Sequence, residues 1–136
     1  MFLGLLDLYQ NVNNLNAIHL ANIYGALAKG ARGARGAANV TKLKTDKTFK
    51  GLLESTIEKL QSKSEQFDVR GIATITHSLG KLKISDERFF NEIVKLSKRI
   101  AKEGNPQDLS NIVWLGVCTV GCESVELFEA VAGQYE

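Results

Sequence analysis

The fold is decided by the stretch Leu109-Ser-Asn-Ile-Val-Trp-Leu-Gly-Val-Cys-Thr-Val-Gly121. Its apolar residues recur at i, i+3, i+4, i+8 and i+11, which is one face of an amphipathic helix. Related stretches occur earlier, as Leu20-Ala-Asn-Ile-Tyr-Gly-Ala-Leu-Ala-Lys-Gly30 and, more diverged, as Val69-Arg-Gly-Ile-Ala-Thr-Ile-Thr-His-Ser-Leu-Gly80. The chain is therefore interpreted as a repeat.

A second helical pattern recurs between these copies. Two sets of four residues, 40 positions apart, share the spacing i, i+4, i+7, i+11. The first set is Phe49, Leu53, Thr56 and Leu60, and the second is Phe89, Ile93, Leu96 and Ile100. A helix A followed by a helix B thus forms a unit of about forty residues, typical of solenoids, in which units bury their faces by stacking. The sequence predicts an all-α fold, an α-solenoid of about three helix-turn-helix repeats of roughly 40 residues.

The predicted units form a single domain of 136 residues. They cover residues 1–30, 49–80 and 87–121, and residues 124–136 resemble the start of a further unit. Within them, helix A is predicted at 2–14 and 49–64 and helix B at 17–29 and 69–80, with Asp68 as an N-cap and Pro106 at a helix start. Because the predicted stack shows no polar cap at either end, we expect neighbouring proteins, or further residues of a longer chain, to pack there.

Residues 30–48 interrupt the repeat and are predicted to be a flexible, basic linker. Gly30, Gly33 and Gly36 stand at every third position, and each glycine costs a helix interior about 1 kcal/mol. Residues 29–50 hold seven Lys or Arg and one Asp, a net charge of +6, whereas the remaining ten basic and fourteen acidic residues give −4. Positive charge is therefore concentrated here.

A second basic group is predicted on the third helix A, opposite its apolar stripe. Its members are spaced i, i+3, i+4 and i+7: Lys95, Lys98, Arg99 and Lys102. In one interpretation, the arginine–glycine segment and the lysine clusters bind RNA phosphates, and the segment becomes ordered when RNA binds. In the alternative, the linker and the helix face are only solvated and bind nothing. The candidate RNA-binding residues are Arg32, Arg35, Lys42, Lys44, Lys47, Lys81, Lys83, Lys95, Lys98, Arg99 and Lys102.

The sequence offers no pattern typical of catalysis or metal binding. The glycine-rich segment lacks the Gly-Lys-Ser/Thr ending and the preceding strand of a phosphate loop. Cys118 and Cys122 are interpreted as small buried hydrophobes, and His19 and His77 belong to different units. No apolar run reaches the roughly 18 residues of a membrane span. We predict no enzymatic activity, cofactor, metal, small-molecule substrate or membrane span.

The helix B stretches resemble a known repeat. Leu20-Ala-Asn-Ile-Tyr-Gly-Ala-Leu-Ala-Lys29 and Asn105-Pro-Gln-Asp-Leu-Ser-Asn-Ile-Val-Trp-Leu-Gly-Val117 are similar to the Pro-Gln-Asp-Leu-Ala-Asn-x-x-Trp-Ala-Leu-Ala pattern of octotricopeptide-type repeats. This pattern also occurs in FAST-kinase-like and RAP-domain organellar RNA-binding proteins. Phe128-Glu-Ala-Val-Ala132 resembles the start of the next unit, while the middle unit lacks the Asn and the Trp.

The resemblance implies an α-solenoid that binds organellar RNA in the mitochondrion or, alternatively, in a plastid. No RAP domain is visible, which argues against enzymatic activity. We therefore expect a mitochondrial ribosome component or assembly factor that binds ribosomal RNA through its basic surface. The alternatives are a protein–protein scaffold subunit of an organellar complex without RNA contact, and an organellar transcript maturation or stability factor.

Overall fold

The computed structural model describes residues 17–31, 36–84 and 86–112, which form an all-α fold without strands in those ranges. A 3₁₀ helix, Ser64–Gln66, connects the third and fourth of the seven α-helices in these ranges. The predicted helix A at 2–14, the third helix B beyond Ile112 and the unit beginning at 124 lie outside the described residues. The α-helices are α1 Ala17–Gly30, α2 Gly36–Thr45, α3 Lys47–Ser62, α4 Val69–Lys81, α5 Glu87–Lys95, α6 Ser97–Glu103 and α7 Pro106–Ser110.

The predicted B helices pack directly against one another. The apolar stripe of α1 is fully buried and consists of Leu20, Ile23, Tyr24 and Leu27. Its main contact is α4, which buries Ile72, Ile75 and Leu79 in the same core. The short α7 also packs on α4. Helical periodicity in the sequence therefore identified the residues that join these helices.

The predicted A helices also pack on each other. All four stripe residues of α3, namely Phe49, Leu53, Thr56 and Leu60, are buried. This helix contacts α5, whose stripe residues Phe89 and Ile93 are buried too. The two helices predicted as A helices are thus neighbours, and the prediction of an all-α fold is confirmed for the described residues.

Side-chain caps fix where the helices begin. Asp68 accepts a hydrogen bond from the Gly71 N–H at 2.6 Å, as predicted for the N-cap of α4. Asn105 accepts one from the Asp108 N–H at 2.8 Å, and Pro106 occupies the first turn of α7. Asp46 and Asp86 cap α3 and α5 in the same way. Because each cap satisfies an otherwise unpaired N–H, the starts of these helices are locally encoded.

Residues 36–45 are helical, which differs from the flexible linker predicted for 30–48. Leu43 of α2 is fully buried in the core, and α2 packs on α3. The Asn39 side chain donates a hydrogen bond to the Gly30 carbonyl at 2.7 Å and ties α2 to the end of α1. The α2 helix begins at the last of the three glycines, Gly36. Burial of Leu43 and packing on α3 stabilise it in spite of its short length.

The predicted third helix A is divided into two helices at Leu96, whose backbone (φ −94°, ψ 9°) leaves the helical region. The Ser97 hydroxyl donates to the Val94 carbonyl at 2.5 Å, a local bond that competes with the helical ladder. Lys95 consequently ends α5, while Lys98, Arg99 and Lys102 belong to α6. The predicted i, i+3, i+4, i+7 face of one continuous helix does not exist.

Two glycines give a matched test of this packing. A Cβ at Gly104 would come within 2.8 Å of the Ile100 carbonyl oxygen and 2.9 Å of Val69 Cγ1, where α6, α7 and α4 meet. We expect Gly104→Ala to lower the free energy of unfolding by about 1–3 kcal/mol through overpacking. Gly51→Ala, in the exposed middle of α3 with open space around the new Cβ, should raise it by about 1 kcal/mol. Urea denaturation measures both, and a fully stable Gly104→Ala variant would contradict the packing of α7 on α4.

Candidate nucleic-acid interface

Six exposed lysines form what we call the basic corner: Lys42, Lys44, Lys47, Lys50, Lys81 and Lys83. The first two lie in the last turn of α2, and the next two lie in the first turn of α3. The last two mark the end of α4. Five of them were predicted as RNA-binding residues; Lys50 was counted only in the basic linker charge.

Contacts of α3 with α1 and with α5 indicate why these lysines share one end of the fold. The Tyr24 ring packs edge-to-face on Phe49 in the first turn of α3, with ring centroids 6.3 Å apart. Burial is the main cause that raises the pKa of Tyr24, and the nearby carboxylate of Asp86 adds to the rise. Arg88 donates to Glu54 at 2.9 Å and Gln61 donates to Glu92 at 3.4 Å, so α3 and α5 run side by side in the same direction and begin at the same end. The end of α4 leads into the start of α5 and therefore lies at that end too. The end of α2 adjoins the start of α3 in sequence.

No ion pair neutralises the basic corner within the described ranges. Four ion pairs occur there, and none includes any of the six lysines. The one acidic residue among residues 29–50, Asp46, accepts the Phe49 N–H at 2.9 Å as the N-cap of α3. The corner is therefore an exposed concentration of positive charge held on helix ends, which is the kind of surface that contacts phosphates.

Lys83 occupies a backbone position that favours glycine. Its φ is 56°, in the left-handed region, where a side chain costs about 1 kcal/mol or more. The Ile84 N–H donates to the Leu79 carbonyl at 3.0 Å and the Lys83 N–H to the Gly80 carbonyl at 3.1 Å. This is the Schellman ending, whose left-handed residue is usually glycine. A lysine at this position lowers the stability of the fold relative to glycine, which favours a role for its positive charge in binding.

Lys83→Gly should separate stability from binding. Glycine relieves the left-handed strain, so we expect the free energy of unfolding to rise by about 1 kcal/mol. Loss of one phosphate contact should lower RNA affinity about 5-fold at roughly 0.1 M salt. Lys83→Ala is the matched control, because it removes the charge and keeps the strain. Urea denaturation and RNA titration of both variants make the measurement; unchanged RNA affinity in both would remove Lys83 from the interface.

Two of the predicted residues on the third helix A are engaged within the fold. The Lys95 ammonium donates to Glu92 Oε1 at 2.9 Å, and Glu92 is buried. The Arg99 guanidinium donates to the Ser64 carbonyl at 2.8 Å, to the Phe67 carbonyl, and to Glu103 Oε2 at 2.8 Å. Arg99 thus holds α6 against the connection between α3 and α4.

Lys98 and Lys102 are exposed and form no ion pair among the described residues. They lie on α6, which Arg99 fixes near Ser64 and Phe67, beyond the end of α3. The 16 residues of α3 span about 24 Å at 1.5 Å per residue, so α6 lies far from the basic corner. The predicted residues therefore fall into two groups instead of one track, and Arg32 and Arg35 lie outside the described residues.

Other kinds of site were sought in the same ranges. No group of three or more His, Cys, Asp or Glu residues there could hold a metal ion. None of the helices in the described part of the chain has the length and apolar character needed to cross a bilayer. The basic corner is the candidate interface that the geometry of these residues supports.

Comparisons with protein-family models, with curated proteins and with solved structures found no match. The resemblance to octotricopeptide-type repeats thus stays a prediction from the residues quoted above. The fold and surface of the described residues define a class of protein, namely an all-α protein with a lysine-rich end.

Proposed function

We propose that this protein is an RNA-associated helical-repeat protein that binds RNA through the basic corner. The observation that carries the proposal is the set of six exposed lysines without ion pairs among the described residues. Four of them lie where α2 packs on α3, and the other two lie at the end of α4, where Leu79 and Leu82 belong to the same core. The helices hold these charges in place, so little ordering is required when RNA binds.

Binding would be directed at phosphates more than at bases. Lysine ammonium groups act as compact point charges without the planar geometry that reads base edges. Their contacts release counterions, which makes the affinity strongly dependent on salt and weakly dependent on sequence. Such contacts position a protein on folded RNA, and they perform no bond-making chemistry, so we propose a binding protein and no enzyme.

The proposed setting is the mitochondrion, where the chain would be a ribosome component or assembly factor that binds ribosomal RNA; a plastid is the alternative. This part of the proposal is supported by the similarity of the helix B stretches to octotricopeptide-type repeats. The contacts of α1 with α4, and of α3 with α5, are compatible with stacking of units as in a solenoid. Neighbouring proteins would pack on the ends of that stack.

A scaffold subunit without RNA contact is the second candidate. It is favoured by Lys95 and Arg99, two predicted RNA ligands that bond within the fold. A factor for maturation or stability of one transcript is a third candidate, which would require sequence-specific RNA contacts.

Sedimentation of the tagged protein from organelle lysate, with and without RNase, tests the proposal against these alternatives. We expect the protein to migrate with a ribosomal subunit and to leave that fraction after nuclease digestion or in high salt. A sharp peak in a smaller, nuclease-resistant complex would contradict RNA association and support the scaffold.

A further inference from the structure

A cavity of about 410 Å³ lies at the end of α1 that is remote from the basic corner. It opens between the first turns of α1 and α4 and is bordered by the 3₁₀ helix. Its volume is in the range of small-ligand sites. The side chains that matter for its chemistry are Ile18, Asn22, Gln66, Arg70 and Thr74.

The cavity is formed by equivalent positions of two successive B helices. With the offset of 49 residues between α1 and α4, Ala21 corresponds to Arg70, and Asn22 to Gly71. The small Ala21 and Gly71 leave space where larger residues would fill the cavity. Asparagine recurs at this position as Asn111 at the end of the described part of the third unit. Corresponding positions of α1 and α4 therefore line one cavity.

The chemistry of the walls fits one nucleotide with an unstacked base. Ile18 is 70% exposed and offers an apolar surface for the face of a base. The amides of Asn22 and Gln66 both donate and accept, as base edges require. Arg70 is exposed and forms no ion pair among the described residues, so its guanidinium can bind a phosphate.

Charge balance also favours a neutral base over a run of phosphates in this cavity. Arg70 and Arg99 are offset by Glu65 and Asp68 in its walls. Arg99 already donates to two carbonyls, and Asp68 caps α4. The Thr74 hydroxyl donates to the Arg70 carbonyl at 2.9 Å. The groups left open are therefore the two amides, the Arg70 guanidinium and the Glu65 carboxylate, a set with room for one phosphate beside a neutral base and not for several.

We propose that this cavity binds one unpaired nucleotide of the RNA, with its base against Ile18 and its phosphate on Arg70. The proposal rests on the RNA-binding function above and deepens it. The basic corner would hold phosphates of any RNA, whereas the cavity selects RNA that has an unstacked base to insert. Single-stranded or looped RNA is then preferred to a continuous duplex.

The test uses a fluorescent 12-nucleotide oligouridylate and an RNA duplex of the same length, each titrated with the full chain. The double variant Ile18→Ala/Arg70→Ala should lose about 10-fold or more in affinity for the single strand and less than 2-fold for the duplex. Both side chains are exposed, so the fold is retained, which circular dichroism checks. The variant Lys42→Gln/Lys44→Gln/Lys47→Gln is the control and should weaken binding of both RNAs.

Equal losses on the two RNAs, or unchanged affinities, would overturn the cavity proposal while RNA binding itself stands. Absence of binding to either RNA by the natural chain would instead overturn the proposed function. If the double variant keeps both RNA affinities and loses a co-sedimenting protein, the cavity holds a peptide segment and the nucleotide proposal is wrong.

Discussion

We expect the variant Lys42→Gln/Lys44→Gln/Lys47→Gln to bind single-stranded RNA about 100-fold more weakly at roughly 0.1 M salt. Each lost phosphate contact lowers the log–log salt slope by about 0.7, so three contacts lower it by about 2. The three side chains are exposed and lie outside every ion pair of the described residues, so the fold should persist. Fluorescence anisotropy at several salt concentrations provides affinity and slope together.

A second triple variant controls for total charge. Lys63→Gln/Lys98→Gln/Lys102→Gln removes three equally exposed positive charges from the other end of the fold. We expect it to weaken RNA binding only several-fold, through the long-range field alone. If the two triple variants lower RNA affinity equally, RNA binding depends on the net charge of the protein, and the basic corner is not the RNA-binding surface.

Tyr24→Ala should have the largest effect on stability, lowering the free energy of unfolding by about 3–5 kcal/mol. The Tyr24 ring is fully buried between α1 and α3 and packs edge-to-face on Phe49. Its truncation leaves a cavity and also removes the hydrogen bond to Thr56. Urea denaturation measures the change; a cost below about 1 kcal/mol would mean that the Tyr24 ring is not buried against Phe49 as described.

Tyr24→Phe is the matched control, since it keeps the ring and removes the hydroxyl. Thr56 Oγ1 donates to the Leu52 carbonyl at 2.8 Å, so in the 2.9 Å contact the Tyr24 hydroxyl is the donor. Without it, Thr56 keeps its own bond to Leu52. We expect a cost of about 1 kcal/mol, which isolates the hydrogen bond from the packing of the ring.

Much of the fold was predictable because its signals are local. The buried stripe of α1 and the capping carboxylate of Asp68 follow from helical periodicity and from unpaired N–H groups. α2 was not predictable, since its helix depends on burial of Leu43 in a core made by other segments. The division at Leu96 depends on a serine hydroxyl that reaches a carbonyl three residues earlier, a choice that composition does not reveal.

The candidate interface was predictable in composition and only partly in geometry. The excess of lysine around residues 42–50 is plain in the sequence, and the structure leaves those side chains exposed. The partners of Arg99 lie 32 and 35 positions away in the chain, so no local pattern distinguishes this structural arginine from a phosphate ligand. The left-handed conformation of Lys83 is equally hidden, because glycine is the usual signal for it.

The most direct test of RNA binding is titration of the natural chain with labelled single-stranded RNA between about 0.05 and 0.3 M salt. If the six lysines of the basic corner contact phosphates, log affinity should fall linearly with log salt with a slope of about −4, near 0.7 for each contact. An affinity that does not change with salt, or no binding at the lowest salt concentration, would contradict RNA association through this surface.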